Sequence, residues 1–135
     1  MKSILFLTIL FVNGCSINPY SGMSDYEKMW QTTHLIDVAQ TYKIAKDPCY
    51  IETGFLTKDL IGSNPSTGKV IAWGSGLSLS HAYASKWLDD RDWPQWIKNT
   101  IKVVDIGYKF DVITGNYNLG IRLGRKNRRD RCNVF

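Results

Sequence analysis

The stretch DYEKMWQTTHLIDVAQTYKIAK, residues 25–46, decides the fold. It reads as one long helix. Ser24 is placed to cap it, with Glu27 three residues on completing a capping box. The helix has to end before Pro48, because Asp47 precedes a proline and helical geometry is disfavoured there. Leu35, Val38, Tyr42 and Ala45 follow i, i+3, i+7, i+10 and make an apolar stripe. Beside it runs a polar line of His34, Asp37 and Thr41, with Gln40 adjacent.

Working outward toward the N-terminus, Ser16 to Ser24 is rich in Ser, Asn, Pro and Gly and reads as a short tether. Before it, Lys2, an apolar run from Ile4 to Val12, and Val12-Asn13-Gly14-Cys15 have the order of a secretory signal ending in a bacterial lipobox. The expected organisation is therefore a cleaved signal over 1–14, a lipidated tether over 15–24 and a single helical domain over 25–135. Cys15 is the expected palmitate-type acylation site. Ser16 rather than Asp after it favours the outer membrane over the inner one.

Working outward in the other direction, Cys49 to Gly68 reads as a loop or partly structured connection with apolar content that packs. Ser66 to Leu88 reads as a second helix, capped by Asn64 or Ser66. Its stretch Val70–Ser85 is sixteen residues without a formal charge, somewhat short of the roughly 20 that span a bilayer. Asp89-Asp90-Arg91-Asp92 is an acidic turn. A third helix runs from Pro94 to about Thr114, with Gly115 as its stop. On it Ile97, Ile101, Val104 and Tyr108 form one stripe, while Lys98, Lys102, Asp105 and Lys109 form another that reads as the wet face. Tyr117 to Leu123 alternates and reads as a short extended segment. The fold class is all-α: three helices after a lipoprotein signal, with an extended C-terminal piece.

The chain of 135 residues carries a formal net charge of +5. Arg122, Arg125, Lys126, Arg128, Arg129 and Arg131 against Asp130 supply that excess, so the basic character belongs to the tail. In an exported protein such a tail suits lipid head groups or lipopolysaccharide better than nucleic acid; its other reading is a solvated end. Five Trp and seven Tyr suit an interface with protein or membrane. With Cys15 acylated, Cys49 and Cys132 are an even pair in an oxidising compartment and are expected to bridge. Their loop of about 80 residues gives roughly 4 kcal/mol in the chain-entropy model. The alternative is two free thiols, and their spacing fits no zinc pattern.

No motif names a reaction. If His34, Asp37 and His81 converge they could form an acid/base or metal site, with Asp111 and Asn116 near the end of the third helix. The competing reading is a satisfied polar network, or a line facing water. Gly74-Ser75-Gly76 lacks the nucleophile-elbow spacing. Gly62 to Lys69 imitates a phosphate loop but has five residues between its glycines and Val70 in place of Ser or Thr. No cofactor or metal is implied.

The order Asp37-x-x-Gln40-Thr41, Ile44-Ala45, Pro48, Glu52, Gly62, Pro65-Ser66, His81 and Asn116-x-x-x-Gly120 resembles a family of small phage, prophage and proteobacterial proteins, many with lipoprotein-type signals. The resemblance covers Asp37 to Leu123. Glu52-Thr53-Gly54 stands where the family often has Glu-x-Asn-Pro. The resemblance implies a mobile-element envelope protein and brings no activity with it.

Three functions are therefore expected, in this order. The first is a non-enzymatic envelope lipoprotein facing the periplasm that binds a membrane or an envelope partner, for instance in phage exclusion or lysis. The second is a small integral membrane protein with three transmembrane helices, supported by the basic first loop and tail and the acidic second loop. The third is an envelope hydrolase using His34, Asp37 and His81.

Overall fold

A computed structural model describes residues 20–47, 49–52 and 54–124. These residues are all-helical: α1 (Asp25–Lys46), α2 (Phe55–Ile61), α3 (Thr67–Asp89) and α4 (Gln95–Asn118). Cys15, Cys132, and the basic residues from Arg125 to Arg131 lie outside the described residues, as does the stretch 1–14 expected to be a signal. Cys49 is disulfide-bonded.

The three long helices run up, down and up, with α1 packed against both α3 and α4. The register is set by polar pairs. Glu27 meets His81, Gln31 meets Ser78 and His34 meets Gly74, so α3 is antiparallel to α1. Tyr26 meets Asp105, Asp37 meets Lys109 and Gln40 meets Asn116, so α4 is parallel to it. Gly74 lets α3 close on α1, because a Cβ there would stand 2.7 Å from a Val38 methyl.

The helix starts follow local chemistry. The Ser24 hydroxyl accepts the Glu27 N–H, and the Ser66 hydroxyl accepts the Lys69 N–H. The Glu27 carboxylate, however, does not turn back to complete the capping box; it reaches inward to His81 and Gln31.

Three sequence expectations are corrected. The three expected helices are joined by a short fourth: α2 lies in the connection from Cys49 to Gly68, and Glu52 N–H donates to Ser63 O across it. Gly115 does not end the third helix, and Tyr117 to Leu123 is not extended. Helix α4 continues to Asn118 and stops at Gly120, whose φ is +92°. There Ile121 N–H donates to Asn116 O and Gly120 N–H to Tyr117 O, both at 3.0 Å, a Schellman stop. Gly115 sits inside the helix because nothing after it requires positive φ until Gly120. Gly120→Ala is expected to cost about 1–2 kcal/mol, since an L-residue is strained in that region; urea unfolding followed by circular dichroism measures it.

The third correction concerns faces. The supposed wet stripe of α4 points inward: Lys98 is 9% exposed and Lys109 is 5%. The apolar stripe points out: Val104 is 65% exposed and its neighbour Val103 71%. On α1, Leu35 is likewise exposed, while Trp30, His34, Gln40, Thr41 and Ile44 are buried. The reason is mutual. Once α1 turns its polar line inward, each buried polar group needs a partner; the charged stripe of α4 supplies some, and His81, Ser78 and the Gly74 carbonyl of α3 supply the others.

Candidate functional site: a buried polar column

The interior between α1, α3 and α4 holds a column of paired polar side chains. At its first level His81 lies between two carboxylates. Its Nδ1 is 2.9 Å from Glu27 Oε2 and its Nε2 is 2.8 Å from Asp105 Oδ2. A ring flanked by two carboxylate oxygens donates through both nitrogens and is an imidazolium. Tyr26 donates its hydroxyl to Asp105 at 2.6 Å. Gln31 donates to Glu27 Oε1 at 2.6 Å and to Ser78 O at 3.0 Å.

At the second level Lys109 donates to Asp37 Oδ2 at 3.0 Å and to His34 Nδ1 at 3.1 Å. The His34 Nε2 lies 2.9 Å from Gly74 O, a carbonyl that can only accept. The ring therefore carries its proton on Nε2 and offers the Nδ1 lone pair to Lys109. At the third level Asn116 donates to Gln40 Oε1 at 3.2 Å, and Gln40 donates to Ile113 O at 3.3 Å. The last pair of residues ties the end of α4 to α1.

Trp30 separates the first two levels. Its ring stacks on His81 with centroids 3.5 Å apart and on His34 at 4.7 Å. Its indole N–H faces Asp105 without forming a full hydrogen bond. His34 pairs with the level of Gly74 and His81 with that of Glu27. These levels are seven residues apart on α3, or about 10 Å along the axis.

The sequence candidates are thus placed in two clusters. His81 goes with Glu27, Asp105 and Tyr26. His34 and Asp37 go with Lys109 and are both bonded to it, and no hydrogen bond joins them to each other. Asp111 points outward and Asn116 joins the third level. The carboxylates at His81 sit on opposite ring nitrogens and cannot converge on one ion; among the described residues no group of three or more His, Cys, Asp and Glu could hold a metal. Sequence reasoning missed Glu27, Asp105 and Lys109. Their signal was there: a charge every third or fourth residue on α4, facing a helix that carries its own polar line.

A cavity of about 210 Å³ opens beside the first level, lined by Ser21, Met23, Glu27, Ser85, Lys86 and Asp89 among others.

The outer surface is the complement of this interior. On α3, no residue exposed between Lys69 and Lys86 is charged; on α1, only Met29, Thr32 and Leu35 are exposed between Lys28 and Lys46. On α4, Asp111 is the one charge exposed between Trp96 and Asn118. Charges gather at the ends. Asp25, Lys28, Lys86, Asp89, Asp90 and Arg91 lie at one end, and Lys46, Lys58, Asp59, Lys69 and Arg122 at the other. Aromatic rings stand beside them. Trp87 and Trp93 meet edge-on at 5.9 Å with Arg91 over Trp87, Trp96 is 70% exposed, and Arg122 lies over Tyr117. Among the described residues, no helix is long and apolar enough to cross a membrane.

No family model matches this chain, and neither curated proteins nor solved structures give a match.

Proposed function

We propose that the chain is a non-enzymatic envelope protein, acylated at Cys15, whose three long helices sit in the bilayer as one bundle around the polar column. The observation that carries the reading is the inversion of α4: Lys98, Lys102, Asp105 and Lys109 are turned inside, while Val103, Val104, Tyr108 and Phe110 are outside. A helix judged alone is charged for Lys98, Lys102, Asp105 and Lys109. In the bundle those groups meet partners and not lipid. Each would cost about 2.5–3.5 kcal/mol if it faced the hydrocarbon centre unpaired. The uncharged band on α3 is about 24 Å tall at 1.5 Å per residue. Helices of 22 to 24 residues bring its charged and aromatic ends to the two interfaces, where Trp and Tyr are favoured.

Phage exclusion or a part in lysis remains the proposed biological setting, and the basic tail the proposed contact with lipid head groups. A hydrolase built on His34, Asp37 and His81 finds less support, because Trp30 stands between the two histidines and, among the described residues, no serine or cysteine is bonded to either.

The test removes the acyl anchor. Membranes carrying the Cys15→Ala protein are washed with alkaline carbonate. Retention in the pellet is expected. Release into the wash would leave a peripheral lipoprotein in its place.

A further inference from the structure

Helices α3 and α4 both pack on α1 and barely on each other. Few side chains therefore hold the seam between them. At the hairpin Asp89 accepts from Lys98 on its carbonyl and from Lys102 on its carboxylate. Eight residues deeper on α3, about 12 Å along the axis, His81 reaches Asp105. That bond belongs to a three-way junction. The Tyr26 hydroxyl is 2.6 Å from Asp105 Oδ2 and 3.2 Å from His81 Nε2. Its one proton serves one of the two at a time.

The two carboxylates on the ring are not equivalent. The Glu27 side chain is 3% exposed and that of Asp105 32%. Water at the seam can solvate Asp105, whereas Glu27 relies on protein donors, Gln31 and Ser85 besides the ring. The other charges near the ring are engaged or farther off. Lys102 stands 5.1 Å from the Tyr26 ring centroid and is paired with Asp89. Lys86, Asp89 and Asp90 border the cavity beside Glu27. Lys109 and His34 lie across Trp30.

We infer that His81 is a proton-operated latch on this seam: when the ring gives up its Nε2 proton it keeps Glu27, accepts from Tyr26 and releases Asp105. A neutral imidazole has one N–H and one lone pair, so it can donate to one carboxylate only. The N–H stays on Nδ1 for the more buried Glu27. The bare Nε2 then faces a carboxylate oxygen at hydrogen-bond distance, and both can only accept. Tyr26 resolves the clash by turning its hydroxyl from Asp105 to Nε2. Asp105 thereby loses both donors, and water enters between α3 and α4 to hydrate it and to carry the proton away. The closed seam binds one proton more than the open one, so rising pH favours opening. The junction is internal to the bundle and is tested apart from its seating in the membrane.

The experiment uses the full chain in a mild detergent. Nitrogen-15 NMR of the two histidine rings distinguishes the cation from each neutral tautomer. Spin labels on unnatural residues replacing Ala84 of α3 and Val103 of α4, both exposed, read the width of the seam as the distance between electrons. Far-ultraviolet circular dichroism marks the pH range over which each protein stays folded. Within it, rising pH is expected to leave His81 neutral with its proton on Nδ1. In step, the label separation is expected to lengthen by roughly 3 Å, room for one water bonded on both sides. Asp105→Asn is expected to hold one separation throughout, because its amide accepts from the cation and donates to the neutral ring. A ring that stays cationic over the whole folded range overturns the proposal, as does a neutral ring protonated on Nε2. So does titration of His81 without a change in separation, or the same opening in folded Asp105→Asn.

Discussion

Replacing His81 by leucine is expected to lower the stability of the folded bundle by about 3–5 kcal/mol, the usual cost of removing one partner from a buried charged set. The substitution leaves Glu27 and Asp105 facing each other without the cation between them. Glu27 is 2% exposed, so bulk water replaces the lost proton donor poorly. The leucine also loses the stacked contact with Trp30. Reversible denaturation followed by circular dichroism measures the loss. Two neutral amides should relieve most of the repulsion, so Glu27→Gln and Asp105→Asn added to His81→Leu are expected to recover part of it. A loss under about 1 kcal/mol, the range of an exposed ion pair, would show that the first level is solvated and that the column is not a closed interior.

The second large effect is expected at Lys109. Its ammonium holds Asp37 on one side and His34 on the other, and lies 5.0 Å from the Trp30 ring centroid. Lys109→Met fills similar volume but leaves a carboxylate of which only 16% of the side chain is exposed without its cation. A loss of about 3 kcal/mol is expected. Asp37→Asn alone is expected to cost less, because the lysine keeps His34. The double variant should be more stable than Lys109→Met, and this coupling is the decisive reading. Strictly additive losses would mean that Asp37 and Lys109 do not share one interaction.

Much of the helical skeleton was legible. The bounds of α1 follow from the Ser24 cap and the Asp47-Pro48 stop, and those of α3 from the Ser66 cap and the acidic turn. Periodicity found both stripes of α4 as well. It could not say which stripe faced inward, since a stripe is a property of one helix and burial a property of two. In water the apolar stripe would go inside by default. The polar line of α1 reverses that default, and it was visible in the sequence as His34, Asp37, Gln40 and Thr41. The stop of α4 was misplaced because Gly115 and Gly120 are equivalent as letters. They differ only in the hydrogen bonds that Asn116 and Tyr117 make to Ile121 and Gly120.

The up-down-up order carries a consequence of parity. An odd number of traverses leaves the first and last residues of the bundle in opposite compartments, and Cys49 emerges with the far end. If Cys15 is on the oxidising side, a bundle that goes all the way through delivers Cys49 to reducing cytosol, where a structural disulfide does not persist. A bundle that lies at the membrane surface keeps Cys49 on the oxidising side, where its bond survives. The redox state of this single sulfur in intact cells therefore reports how deep the protein sits.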